Sequence, residues 1–170
     1  MVKLGTIRYI ICVAAVFFCC AFGANAQRFA VNTDVVQWAL VSPNVGFEVS
    51  LEQHHTLGFS ASVAPFKIME KASLRHLSIE PQYKYWFRMP YFGHYVGASM
   101  IYSSYDIAFG NFARKGNLVA ATGNYGYSII LGRRWNLVPH LGLGAGYDLG
   151  ENKGIVPFAK IGINIQLVVK

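Results

Sequence analysis

The chain has 170 residues, of which 54% are hydrophobic, 15% aromatic and only 14% charged, with a formal net charge of +7. That balance is too apolar for an ordinary soluble domain. The cationic excess is scattered, Arg114-Lys115 and Arg133-Arg134 being pairs rather than a block of five or six, so the charge pattern argues against nucleic acid as a partner.

The amino terminus reads as a secretory signal peptide over residues 1–26. Lys3 and Arg8 give a positive start, Ile10 to Phe22 an apolar middle, and Ala24-Asn25-Ala26 a small-residue cleavage box before Gln27. Cys12, Cys19 and Cys20 all lie inside it, so the expected mature domain, residues 27–170, has no thiol. Neither Phe18 before Cys19 nor Cys19 before Cys20 is the small residue of a lipoprotein signal, and lipidation is not expected. The mature part contains no run of about 18 apolar residues, so no helical membrane span is predicted.

Its apolarity is distributed with period two, which makes one face of a strand and cannot make one face of a helix. Val45, Phe47, Val49 and Leu51 alternate with Asn44, Gly46, Glu48, Ser50 and Glu52. Leu57, Phe59, Ala61 and Val63 oppose Gly58, Ser60 and Ser62; further on, Leu77, Ile79, Pro81, Tyr83, Tyr85 and Phe87 oppose His76, Ser78, Glu80, Gln82, Lys84, Trp86 and Arg88. Ile161, Ile163, Ile165, Leu167 and Val169 repeat the pattern at the end. Turn residues divide the mature chain into eight stretches: 30–41, 44–53, 56–64, 74–88, 94–109, 118–132, 135–148 and 155–169.

Strands of about ten residues tilted by about 40° cross an apolar band about 25 Å tall. A sheet in hydrocarbon must close on itself, because an open edge leaves backbone groups unsatisfied. The expected fold is therefore all-β, an eight-stranded antiparallel up-and-down transmembrane β-barrel. Glu48, Glu80, Lys84, Lys160, Asn124, Asn164, Gln166 and His140 share the inward parity, whereas a soluble ligand-binding barrel has its apolar face inside. Phe87, Tyr95, Trp135 and Tyr147 are expected to point outward as aromatic girdles. With the amino terminus on the periplasmic side, Pro65 to Ser73 and Gly110 to Asn117 become the two longest outward loops, and Ser42-Pro43 a tight one.

Several phrases resemble a known family. Asn32-Thr33-Asp34, Ser42-Pro43-Asn44-Val45-Gly46-Phe47-Glu48, Ile79-Glu80-Pro81-Gln82-Tyr83-Lys84-Tyr85-Trp86-Phe87 and Gly93-His94-Tyr95-Val96-Gly97 occur in order, followed by Gly126-Tyr127, Leu131-Gly132-Arg133-Arg134-Trp135-Asn136-Leu137 and Gly142-Leu143-Gly144-Ala145-Gly146-Tyr147. Together they are similar to domain of unknown function family 3575, small outer-membrane barrels found mainly in Bacteroidota. The resemblance implies a barrel at the outer membrane and carries no settled activity. Two departures are Ile101, at an inward-parity position where a polar residue is expected, and a terminal Lys170 in place of an aromatic.

No constellation rises to a catalytic, cofactor or metal site. Gly142, Gly144 and Gly146 alternate along a strand and precede no helix, so they make room for bulky interior neighbours rather than cradle phosphate. His76, Ser78 and Glu80 share a strand face, and a His-x-Ser pair points to an acyl hydrolase acting on outer-membrane lipid as the alternative reading. Neighbours on one strand face lie about 6–7 Å apart, too far for a direct hydrogen bond. Glu48, Glu80, Lys84 and Lys160 predict an interior ion-pair network, and His54-His55 a solvated turn without the partners a metal needs. The expected role is structural, adhesive or accessory to a surface assembly. The expected partners are the outer-membrane bilayer and lipopolysaccharide, and a surface-assembly protein or anionic glycan at the basic loops (Lys67, Lys71, Arg114 and Lys115); the expected state is a monomer.

Overall fold

Alternating side chains give each strand one polar and one apolar face, and curling the sheet puts every polar face on one side. The computed structural model describes residues 28–64, 67–69, 72–109, 112–150 and 153–169. The leader expected over 1–26 lies outside them. The elements are β1 (Phe29–Asp34), α1 (Val35–Ala39), β2 (Asn44–Ser50), β3 (His55–Ala64), β4 (Lys67–Met69), β5 (Ala72–Trp86), β6 (Gly93–Phe109), β7 (Phe112–Ile130), β8 (Trp135–Asp148) and β9 (Gly154–Val169). Apart from β3 and β4, sequential strands pair antiparallel; β9 returns to β1, and β3 closes on β5 from His55↔Tyr85 to Ala64↔His76. Short β4 meets the same edge of β5 that β3 occupies. The wall is thus a closed antiparallel barrel of eight strands, as the alternation predicts.

The first predicted strand, 30–41, is wrong beyond residue 34. Asp34 is buried, its carboxylate accepts the Val36 N–H at 2.9 Å, and residues 35–39 turn into α1. A capping carboxylate outweighs the strand preference of Val35 and Val36. Asn44 fixes the return, accepting the Asp34 N–H at 2.7 Å through Oδ1 and donating to the Asp34 carbonyl at 2.9 Å. Val35 to Pro43 is therefore the longest connection at that end, where Ser42-Pro43 alone was expected.

The expected Gly110–Asn117 loop is also corrected. Phe109 pairs with Phe112, and β7 runs from there as 19 residues of strand. Asp106 faces Lys115 in the ladder and Arg75 on its other side, and opposite charges across a ladder favour pairing over a free loop. Likewise Lys67 and Met69 pair with Ser73 and Ala72, turning most of the Pro65–Ser73 loop into hairpin. At about 3.3 Å per residue, 19 residues extend well past an apolar belt about 25 Å tall.

Burial follows the predicted parity. Glu48, Lys84, Asn124 and Gln166 are buried, while Val45, Phe47, Leu57, Leu77, Leu141 and Ile161 are exposed on the outer wall. Phe87 and Trp135, 53% and 51% exposed, point outward with Tyr147. Tyr95 does not: it is 2% exposed and inside. Its β6 neighbours Gly93, Gly97 and Ser99 face inward while His94, Val96 and Met100 face out, so the parity of β6 and not the aromatic character of Tyr95 sets its direction. Ile101, at 7%, occupies the inward position its parity assigned.

Candidate functional site: the polar lumen

The end of the lumen nearest the chain termini is sealed by rings. Trp86 is fully buried, with Tyr95 at 4.8 Å and Tyr91 at 6.0 Å between ring centroids. Tyr91 belongs to the β5–β6 turn and reaches inward on a left-handed backbone, φ 68. A non-glycine residue holds that conformation only where its surroundings demand it, and here they do. The Tyr91 hydroxyl donates to the Arg28 carbonyl at 2.9 Å and the Glu48 carbonyl at 3.1 Å, while its own carbonyl accepts from Ser128 and Asn136, both at 2.8 Å. Burial, then the Glu48 charge, pushes the Tyr91 phenol above its usual range, which keeps it a donor.

Above this plug lies the first ion pair. Lys84 on β5 donates to Glu48 Oε2 on β2 at 2.7 Å and sits 4.9 Å from the Tyr95 ring centroid. Thr56 donates to the other Glu48 oxygen and accepts from the Trp86 indole at 3.0 Å. Gln166 donates to Glu48 at 3.3 Å. Two charges in a narrow lumen are tolerated because they pair with each other, Glu48 taking further hydrogen bonds and Lys84 the face of Tyr95. One level higher, Lys160 on β9 pairs with Glu80 on β5 and reaches Ser99 at 3.4 Å. Ser99, Thr122 and Asn124 bond one another at 2.8, 3.1 and 3.0 Å.

Glycines on facing strands supply the width these groups need. A Cβ on Gly142 would stand 2.3 Å from Asn124 Oδ1 and 3.0 Å from the Lys160 stem, and one on Gly126 would stand 2.5 Å from the Tyr95 ring. The expected role of Gly142 as space for a bulky neighbour is what the geometry displays.

A third pair lies beside these groups. His140 lies 3.7 Å from Asp34, whose other oxygen accepts the Ile163 N–H at 3.2 Å. A cavity of about 50 Å³ runs between these residues and Asn44, Ser62, Ser78, Glu80 and Lys160, room for a few waters and not for a lipid.

A family model described as "Protein of unknown function (DUF3575)" matches residues 10–157. The chain belongs to this family. No curated protein matches it. Among solved structures, neisserial surface protein A is 11% identical with a TM-score of 0.50, covering 83% of this chain and 94% of that one. The N-terminal β-barrel domain of Pseudomonas aeruginosa OprF is 12% identical with a TM-score of 0.52, covering 84% and 96%. At such identities the likeness concerns fold alone, and the fold of this DUF3575 chain is that of small outer-membrane barrels.

The hydrolase alternative rests on His76 and Ser78, and the structure does not join them. His76 Nε2 lies 3.0 Å from Ser42 Oγ and 3.3 Å from Ser62 Oγ; Ser78 bonds Ser62 at 2.7 Å. The sequence reading took Ser42 only as part of a tight loop, because it lies 34 residues from His76 and meets it only across the closed barrel. No carboxylate bonds His76 among the described residues, so nothing orients its ring as a base. The cluster faces the lumen, away from the lipid wall. His54 and His55 are more than a solvated turn: they are half-buried, His54 bonding the Trp86 carbonyl at 2.9 Å and His55 the Tyr83 hydroxyl. Of the expected basic loop residues, Lys71 lies outside the described residues, as do the side chains of Lys67 and Arg114; Lys115 is exposed.

Proposed function

We propose that this protein is a monomeric outer-membrane β-barrel with a structural, adhesive or surface-assembly role and no catalytic site, exported across the inner membrane by a cleaved leader. One observation carries the reading: Glu48 and Lys84 are paired inside while Leu57, Leu77, Leu141 and Ile161 stand exposed outside. In water that polarity is inside out, and in a bilayer it is the stable arrangement. Among the described residues an aromatic plug and ion pairs fill the lumen, and eight strands enclose an interior only about wide enough for side chains, which favours a wall over a pore. The partner we propose at the hairpin end is an anionic surface glycan or lipopolysaccharide, held with salt-sensitive affinity by Lys115 and its basic neighbours.

The test is fractionation followed by a detergent gel. Recovery with outer membranes, and faster migration unboiled than boiled, are expected. Recovery in the soluble periplasm with no such shift overturns the reading.

A further inference from the structure

Four arginines crowd the rim where the chain enters and leaves the barrel. Arg28 precedes β1, Arg88 follows β5, and Arg133-Arg134 occupy the β7–β8 turn; all are exposed. Three of them adjoin an outward aromatic in sequence: Arg28-Phe29, Phe87-Arg88 and Arg134-Trp135. Glu52 is the one acid on this rim among the described residues. No described carboxylate pairs with any of the four.

Two of the guanidinium groups have soft neighbours. Arg28 approaches Met89 Sδ at 3.9 Å, and Arg88 lies 5.7 Å from the Phe92 ring centroid. The backbones beneath are held: the Arg28 carbonyl accepts the Ser50 N–H at 3.0 Å, and the Arg134 carbonyl accepts the Val168 N–H at 2.8 Å. At the opposite rim Asp106 stands between Arg75 and Lys115 in the ladders, so charge there is mixed. The terminal rim sets four arginines against a single described acid, Glu52.

We propose that this arginine rim binds the headgroup phosphates of anionic phospholipid in the leaflet at the terminal end of the barrel, an inference that rests on the membrane reading above. An aromatic at the strand end sits at the boundary between acyl chains and headgroups. The arginine one residue further out then stands beyond that boundary, on the side of the phosphates. Its planar fork of donors matches phosphate oxygens two at a time, which a lysine does not do. Clustered cations beside an anionic leaflet gain attraction that salt screens.

Trp135 beside Arg134 is a built-in reporter. The full mature chain, carrying Trp38→Phe to remove the other exposed indole, is folded into phosphatidylcholine vesicles containing an equal fraction of brominated phosphatidylglycerol or brominated phosphatidylcholine. Brominated phosphatidylglycerol is expected to quench about twice as strongly, falling to parity in about 0.5 M salt. Replacing all four arginines by Gln should abolish the preference, and Arg133→Gln/Arg134→Gln, confined to one turn, should halve it and serves if the fourfold variant does not fold. Equal quenching by the two lipids, or a preference that survives the substitutions, overturns the rim. Quenching by neither lipid overturns the membrane reading, and the rim with it.

Discussion

Lys84 Nζ lies 2.7 Å from Glu48 Oε2 although β3 separates their strands, so the ion pair spans the lumen rather than a ladder. The same holds for Lys160 and Glu80, brought together from opposite sides of the barrel. Two neighbours on β5, Glu80 and Lys84, therefore serve different partners.

This partition makes a double-mutant prediction. Lys84→Ala leaves Glu48 buried and unpaired and is expected to cost about 3–5 kcal/mol, while Glu48→Leu/Lys84→Met together cost clearly less. Cycles between Glu48 and Lys84, and between Glu80 and Lys160, should show strong coupling; Glu80 with Lys84 should be additive to within about 0.5 kcal/mol. Urea unfolding in lipid vesicles reads all three. Strong coupling between Glu80 and Lys84 contradicts the pairing.

A second prediction concerns the plug. Gly126→Ala forces a methyl against the Tyr95 ring and is expected to destabilise by about 1–3 kcal/mol. In a Tyr95→Ala background the same substitution should cost little. Equal cost in both backgrounds means that Tyr95 does not fill the space beside Gly126.

The serine–histidine cluster gives a third. The folded protein in vesicles is expected to release no fatty acid above the level of a Ser42→Ala/Ser78→Ala variant. Each single substitution should shift stability by about 1 kcal/mol, the worth of one hydrogen bond. Release that disappears in His76→Ala counts decisively against a non-catalytic lumen.

Orientation supplies the last. Trypsin added to intact cells should cut only at the hairpin end, at Lys115 or Lys153, and leave Arg88 and Arg133 untouched, with peptides identified by mass. Cutting at Arg88 or Arg133 inverts the barrel and moves the proposed glycan surface to the wrong side.

How much of this was legible in the sequence differs by element. Period two in 44–51 and 77–87 reveals which residues share a face, because alternation is a property of the strand itself. From it follow the inward Glu48, Glu80, Lys84 and Lys160, the outward Phe87 and Trp135, and, given hydrocarbon, the need for closure. Tyr95 was misread because residue type overrode parity, though His94 and Val96 beside it already indicated the direction. The turn at α1 depended on the buried carboxylate of Asp34 capping Val36, a local contact outweighing the intrinsic preference of two valines.

Which charge meets which, by contrast, was settled only by the tertiary structure. Parity says that Glu48 and Lys84 face the lumen; closure of β3 on β5 and the ladder registers set the height of each residue, and that height selects the partner. Ser42 reaches His76 for the same reason. The inward turn of Tyr91 arises from four hydrogen bonds to groups on other segments. Sequence alone determined the faces, since a face needs only the strand; depth and partner needed the ring of strands to close.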